Sequence, residues 1–233
     1  MPYQHPLRRI EPGTHPELLY PDYRSTPSRA PSQPLVSLAQ GAREITVVAP
    51  PRELLTPLDA DLTRQSVAPP LGERIVVSGR VLDEDGRPVR NSLVEIWQCN
   101  AAGRYAHPGD QHDAPLDPHF AGRGRTLTDD AGEYRFVTIR PGAYPWRNHP
   151  NAWRPAHIHF SLFGNAYAQR LITQMYFPGD PLLAYDPIYQ SVPAAARERL
   201  VSSFDPELTR PEWALGFRFD IVLRGRDATP LGL

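Results

Sequence analysis

The chain has 233 residues, 40% of them hydrophobic and 22% charged, and a formal net charge of -1. That balance supports a full hydrophobic core and excludes both a chain disordered throughout and a dedicated nucleic-acid surface. All 25 positive side chains are arginine, which excludes lysine Schiff-base or lysine general-base chemistry, and the single cysteine, Cys99, excludes an intrachain disulfide.

Residues 1–70 are interrupted by Pro6, Pro12, Pro16, Pro21, Pro27, Pro31 and Pro34 and show no sustained periodicity. This stretch reads as an arm rather than a domain. Leu18, Leu19, Tyr20, Tyr23, Leu35, Val36 and Leu38 give it apolar groups to bury, so it is expected to lie ordered on its own domain or on a partner subunit. The first nine residues lack the apolar run of a signal peptide, and no stretch of 18 uninterrupted apolar residues follows. A soluble, cytoplasmic protein with no membrane segment is the expectation.

From residue 74 the pattern is that of strands. Arg74–Leu82, a turn cluster from Asp83 to Pro88, and Asn91–Trp97 read as a hairpin-like pair. Further strands are expected at Tyr134–Ile139, Ala156–Phe163, Leu171–Phe177 and Phe217–Leu223, with a turn at Thr128–Gly132. Several strands without alternating helices predict an all-β sandwich over residues 71–233. The one helical candidate, Pro193–Phe204, is expected to be short and peripheral. The loops at 98–127 and 140–155 are long and crowded with Tyr, His, Trp, Asp and Arg, where a sandwich usually carries its binding chemistry.

His157 and His159 stand one residue apart in a predicted strand. They therefore share a face, about 6.6 Å apart along the chain, and can converge on one ion. Alone, the pair reads equally as two polar strand residues. Pro155 stiffens the entry to the strand and Arg154 places a permanent charge beside it. Zinc would normally recruit a further histidine, carboxylate or cysteine, and none stands within these motifs. Tyr105 and Tyr144 read by themselves as loop aromatics.

Taken together, Glu95-Ile-Trp-Gln98, Gly103-Arg-Tyr105, Tyr144-Pro-Trp-Arg147, Trp153-Arg-Pro-Ala-His-Ile-His159 and Leu171–Phe177 resemble the intradiol ring-cleaving catechol dioxygenases. The likeness runs from about residue 20 to the end, and Pro21-Asp-Tyr23 and Phe217–Gly225 bring it nearest to the iron-bearing β chains of the protocatechuate-cleaving branch. It implies an immunoglobulin-like or prealbumin-like β-sandwich. It also implies a non-haem Fe(III) held by Tyr105, Tyr144, His157 and His159 with a solvent-derived hydroxide.

Phenolates are hard anionic donors suited to a ferric ion, whose charge would ionise tyrosines of ordinary pKa about 10. By resemblance Tyr144 is the phenolate that a catechol displaces, Arg154 and Gln174 act in catalysis, and Trp146 and Tyr23 bind substrate. The implied reaction cleaves the ring with dioxygen between its two hydroxylated carbons, to a cis,cis-muconate. A related α subunit is the implied partner. Catechol or hydroxyquinol as substrate, a non-catalytic sandwich subunit and a zinc hydrolase remain the alternatives.

Overall fold

The computed structural model describes residues 11–34, 55–163 and 170–232. The element order is dominated by strands: β1 (Arg74–Leu82), β2 (Leu93–Trp97), β3 (Arg123–Leu127), β4 (Glu133–Ile139), β5 (Tyr144–Pro145), β6 (Trp153–Arg154), β7 (His157–Phe163), β8 (Leu171–Tyr176), β9 (Ser203–Phe204), β10 (Leu215–Arg218) and β11 (Ile221–Val222). Among the described residues two short helices, α1 (Thr26–Arg29) and α2 (Pro187–Ser191), accompany three stretches of 3-10 helix.

β1 is the organising strand of the first sheet. Its Ile-Val-Val run is buried on both faces, as expected of a central strand whose side chains find apolar cover whichever way they point. Antiparallel β4 pairs along one edge, from Arg74↔Ile139 to Arg80↔Glu133. Parallel β10 and then β11 follow the other edge in one register, Ile75↔Leu215 and Val81↔Ile221. The expected strand Phe217–Leu223 is thus two strands with a break at Phe219 and Asp220. At the break the Asp220 carboxylate accepts from the Arg80 N–H at 2.8 Å, replacing a backbone acceptor. Gly79 is required here, because a Cβ at that position would overlap the Phe219 carbonyl.

The second sheet is antiparallel in the order β3-β2-β7-β8. β1 and β2 therefore do not form the expected hairpin: they belong to different sheets, and the turn after β1 delivers the chain across the core. β3 lies inside what read as a loop, since Arg123-Gly-Arg-Thr-Leu127 offers little apolar alternation and takes its conformation from pairing with β2. The inner faces of both sheets meet in one buried cluster that includes Val77, Phe136, Val94, Ile158, Phe160 and Met175. Burying each such side chain contributes about 1.5–3 kcal/mol.

Residues outside the sheets hold on by different means. Leu62 is fully buried in the same cluster, and its N–H donates to the Val137 carbonyl at 2.9 Å. Leu18 and Leu19, expected to anchor the N-terminal stretch, are 45% and 50% exposed; Leu35, Val36 and Leu38 lie outside the described residues. The helical candidate is corrected as well: only Ala194–Leu200 is helical, as 3-10 turns, and Ser203–Phe204 is strand β9. Ala196 and Leu200 pack with Tyr176 and Val192, so this segment supports β8 from beneath. Cys99 is buried, with its thiol pushed up to about 12 chiefly by burial.

Candidate metal centre

Four polar atoms from three chain segments meet in an unbroken series. Tyr144 Oη lies 3.3 Å from His157 Nε2, which lies 3.2 Å from His159 Nε2, which lies 3.2 Å from Tyr105 Oη. β7 supplies both imidazoles through the two-residue period, at the end of the sheet where β2 and β8 flank it. His159 pairs across to Trp97 on one side and Gln174 on the other, and the Trp97 ring stacks on the imidazole with centroids 4.8 Å apart.

The phenols arrive from the two long loops. β5 and β6 make a two-stranded ribbon in which Tyr144 stands opposite Arg154. Tyr105 comes from the loop after β2, where Asn100 Oδ1 accepts the N–H groups of Ala102 and Arg104 at 3.0 and 2.9 Å and Asp110 Oδ2 accepts that of Tyr105 at 2.7 Å. Gly103, at φ +80°, lets the loops touch, since a Cβ there would overlap the Ala143 carbonyl next to Tyr144. The two phenol rings end edge to face, 5.5 Å apart.

The electrostatics of the set keep the imidazoles neutral and the phenols protonated. His157 Nδ1 sits 2.7 Å from the Pro155 carbonyl, which can only accept, so the proton is on Nδ1 and the Nε2 lone pair faces the other donors. Burial, then the charge of Arg154, pushes His157 well below the usual histidine range and His159 down to about 3. Burial likewise raises both phenols, with Arg154 opposing the rise at Tyr144. Neutral imidazoles are ready ligands; the phenols need a strong positive charge to ionise.

Metal–ligand bonds of about 2.0–2.2 Å put neighbouring donors about 2.8–3.8 Å apart for angles of 90–120°. The three observed spacings fall in that range, so the residues present fit a metal ion. The two phenols make this set visible; among the described residues, no cluster of three or more His, Cys, Asp or Glu could hold a metal. A cleft of about 830 Å³ leads to it, lined by Trp97, Tyr105, Tyr144 and Trp146, with rim residues from His107 to Asp113. Tyr23 meets the outer side of this wall, its ring 5.5 Å from that of Trp146 and 4.8 Å from the Arg29 guanidinium.

Residues 48–225 match the family described as "Dioxygenase", and residues 8–41 match the "Protocatechuate 3,4-dioxygenase beta subunit N terminal" family. The chain belongs to the intradiol ring-cleaving dioxygenase family. It is 63% identical over 220 residues to the protocatechuate 3,4-dioxygenase beta chain of Burkholderia cepacia, covering 94% of each chain. It is also 30% identical over 161 residues to the alpha chain from that organism, covering 68% of this chain and 76% of the relative. Among solved structures it resembles the catechol 1,2-dioxygenase of Acinetobacter sp. ADP1 inhibited by bound mercury, with TM-score 0.53 and 29% identity, over 72% of this chain and 58% of that one.

In this intradiol dioxygenase the other sequence-derived residues are placed unequally. Arg154 and Gln174 are both buried and joined, Nη2 to Oε1, at 2.5 Å. Neither lines the cleft wall as Trp146 does. Asp186 and Tyr176 escaped the sequence reading. Asp186 Oδ2 lies 3.2 Å from both Arg154 Nη2 and the Tyr176 hydroxyl. Asp186 Oδ1 lies 3.2 Å from Arg154 Nε, an ion-pair contact whose angle falls short of a hydrogen bond. Burial alone would lower Arg154, but Tyr176 and Asp186 reverse this and hold it raised. Asp186 also caps α2, its Oδ1 accepting from the Ile188 N–H.

Proposed function

We propose that this chain is the iron-bearing β subunit of a protocatechuate 3,4-dioxygenase, cleaving its substrate with dioxygen between the two hydroxylated carbons to 3-carboxy-cis,cis-muconate. The observation that carries this reading is the unbroken series Tyr144–His157–His159–Tyr105 at 3.2–3.3 Å, in a chain 63% identical to a protocatechuate 3,4-dioxygenase beta chain. A ferric ion held by these four side chains would ionise the phenols and open a bound catecholate to attack by dioxygen.

The protein's own residues do the rest. Tyr144 Oη takes a proton from an incoming catechol hydroxyl. Arg154, a permanent cation in a site poor in water, stabilises negative charge as it develops on the substrate ring. Gln174 works with Arg154, its Oε1 steadying the guanidinium. His157 and His159 stay neutral throughout, and Trp97 holds the His159 ring flat in its ligating plane. Trp146 walls the cleft, and Tyr23 reaches the carboxylate that distinguishes protocatechuate from catechol.

The finer architecture belongs to the same proposal. The two sheets make an immunoglobulin-like or prealbumin-like sandwich spanning residues 71–233. Residues 1–70 are an arm, anchored in the core by Leu62. A related α chain completes the carboxylate pocket, as the likeness to both beta and alpha chains supports. The enzyme works in the cytoplasm; among the described residues no helix is long and apolar enough to cross a membrane.

Oxygen uptake by the iron-loaded protein with its α chain, compared across protocatechuate, catechol and hydroxyquinol, tests reaction and substrate together. Uptake fastest with protocatechuate is expected. Preference for another catechol overturns the substrate, and no uptake with any of the three overturns the reaction.

A further inference from the structure

We propose that Asn148 is a specificity-determining positioning residue, a latch that sets where Tyr23 stands against the Trp146 wall of the cleft and so tunes the enzyme toward catechols carrying a ring carboxylate. The proposal rests on the reading of Tyr23 as a substrate contact. Asn148 lies on the loop between β5 and β6, two residues beyond Trp146, and is only 3% exposed. Its Nδ2 donates to the Asp22 carbonyl at 2.7 Å and its Oδ1 accepts from the Arg24 N–H at 2.9 Å. Those two bonds grip the backbone immediately before and after Tyr23.

The gripped segment is itself closed. The Thr26 hydroxyl donates to the Tyr20 carbonyl at 2.6 Å and accepts from the Tyr20 N–H at 3.0 Å, while the Thr26 N–H donates to the Tyr23 carbonyl at 2.9 Å. A latch at Asp22 and Arg24 therefore places the whole turn from Tyr20 to Thr26 as one piece. The nearby Leu18 and Leu19 are exposed and add no apolar anchor of their own. The grip needs a donor and an acceptor on one short side chain: aspartate accepts only, and leucine or alanine does neither. The Tyr23–Trp146 contact then ties the latch to the cleft wall.

The test uses the iron-loaded enzyme assembled with its α chain, as wild type, Asn148→Ala and Asn148→Asp, with Tyr23→Phe as reference. Asn148→Ala, which loses both buried hydrogen bonds, is expected to raise KM for protocatechuate about tenfold, and Asn148→Asp, which keeps the bond from the Arg24 N–H, to raise it less, with kcat/KM for unsubstituted catechol changing by less than about twofold in both. Cleavage by trypsin after Arg24 and Arg29, followed on iron-free and iron-loaded protein alike, should be faster in both Asn148 variants. Unchanged trypsin rates overturn the latch. Faster cleavage with an unchanged protocatechuate-to-catechol preference, or with equal losses on both substrates, overturns its role in specificity. If Tyr23→Phe alone leaves that preference unchanged, the reading of Tyr23 fails, and the trypsin rates still judge the latch.

Discussion

Replacing Asp186 with asparagine isolates the charge that holds Arg154. The carboxylate is fully buried and the guanidinium side chain only 5% exposed, with contacts of 3.2 Å through both Nε and Nη2. Asparagine preserves the size and the cap on the Ile188 N–H, so helix capping drops out of the difference. What remains is a buried cation without its counter-ion. Breaking such a pair from one side costs about 3–5 kcal/mol. Gln174 and Tyr176 still accept from Nη2, which places the expected loss near the lower end, about 3 kcal/mol.

Urea unfolding of the iron-free protein measures the loss as a lower midpoint at constant slope. Because the pair is buried, the difference should persist in molar salt. Adding Arg154→Leu to Asp186→Asn removes the stranded charge, so the double variant should recover about 2 kcal/mol relative to Asp186→Asn alone. A loss below about 1 kcal/mol, or a double variant less stable than Asp186→Asn, would refute the assignment of Asp186 as the counter-ion.

Other consequences follow from the donor set. Tyr105→Phe removes one anionic ligand, so the iron-loaded protein should lose most of its tyrosinate-to-iron colour and release iron more readily to a chelator, both measurable by visible absorption. The iron-free protein should lose stability as pH falls from about 6.5 toward 3: the folded-state value of His159 is depressed to about 3, so the unfolded chain binds the proton first. His157 acts in the same direction, and each group contributes a slope of up to about 1.4 kcal/mol per pH unit. His159→Gln should flatten that slope in urea titrations at several pH values. Gly103→Ala forces a Cβ against the Ala143 carbonyl at φ +80°, so it should cost at least about 1–2 kcal/mol and lower iron occupancy by parting the two phenols.

The parts of the site that follow a local period were legible in the sequence. His157 and His159 share a face because strands alternate, and Arg154 sits beside them by adjacency. What joins them to Tyr105 and Tyr144 is not local: the loops meet through Gly103 and Asn100, and only the resemblance of several motifs in order named the tyrosines together. Asp186 was hidden for the same reason, since it lies 32 residues from Arg154. In the fold, strong apolar runs such as Ile75–Val77 were legible, but their partners were not. β1 and β2 looked like a hairpin because a turn cluster separates them, yet each finds better apolar cover in a different sheet. The Leu18 and Leu19 expectation failed because polar grips at Asn148 and Thr26 hold that segment.

The most direct test of the central claim is an anomalous-scattering map at the iron edge, from crystals of the iron-loaded protein. The account expects one strong peak within bonding distance of Tyr105 Oη, Tyr144 Oη, His157 Nε2 and His159 Nε2. A peak elsewhere, or one that misses either phenol, would contradict it.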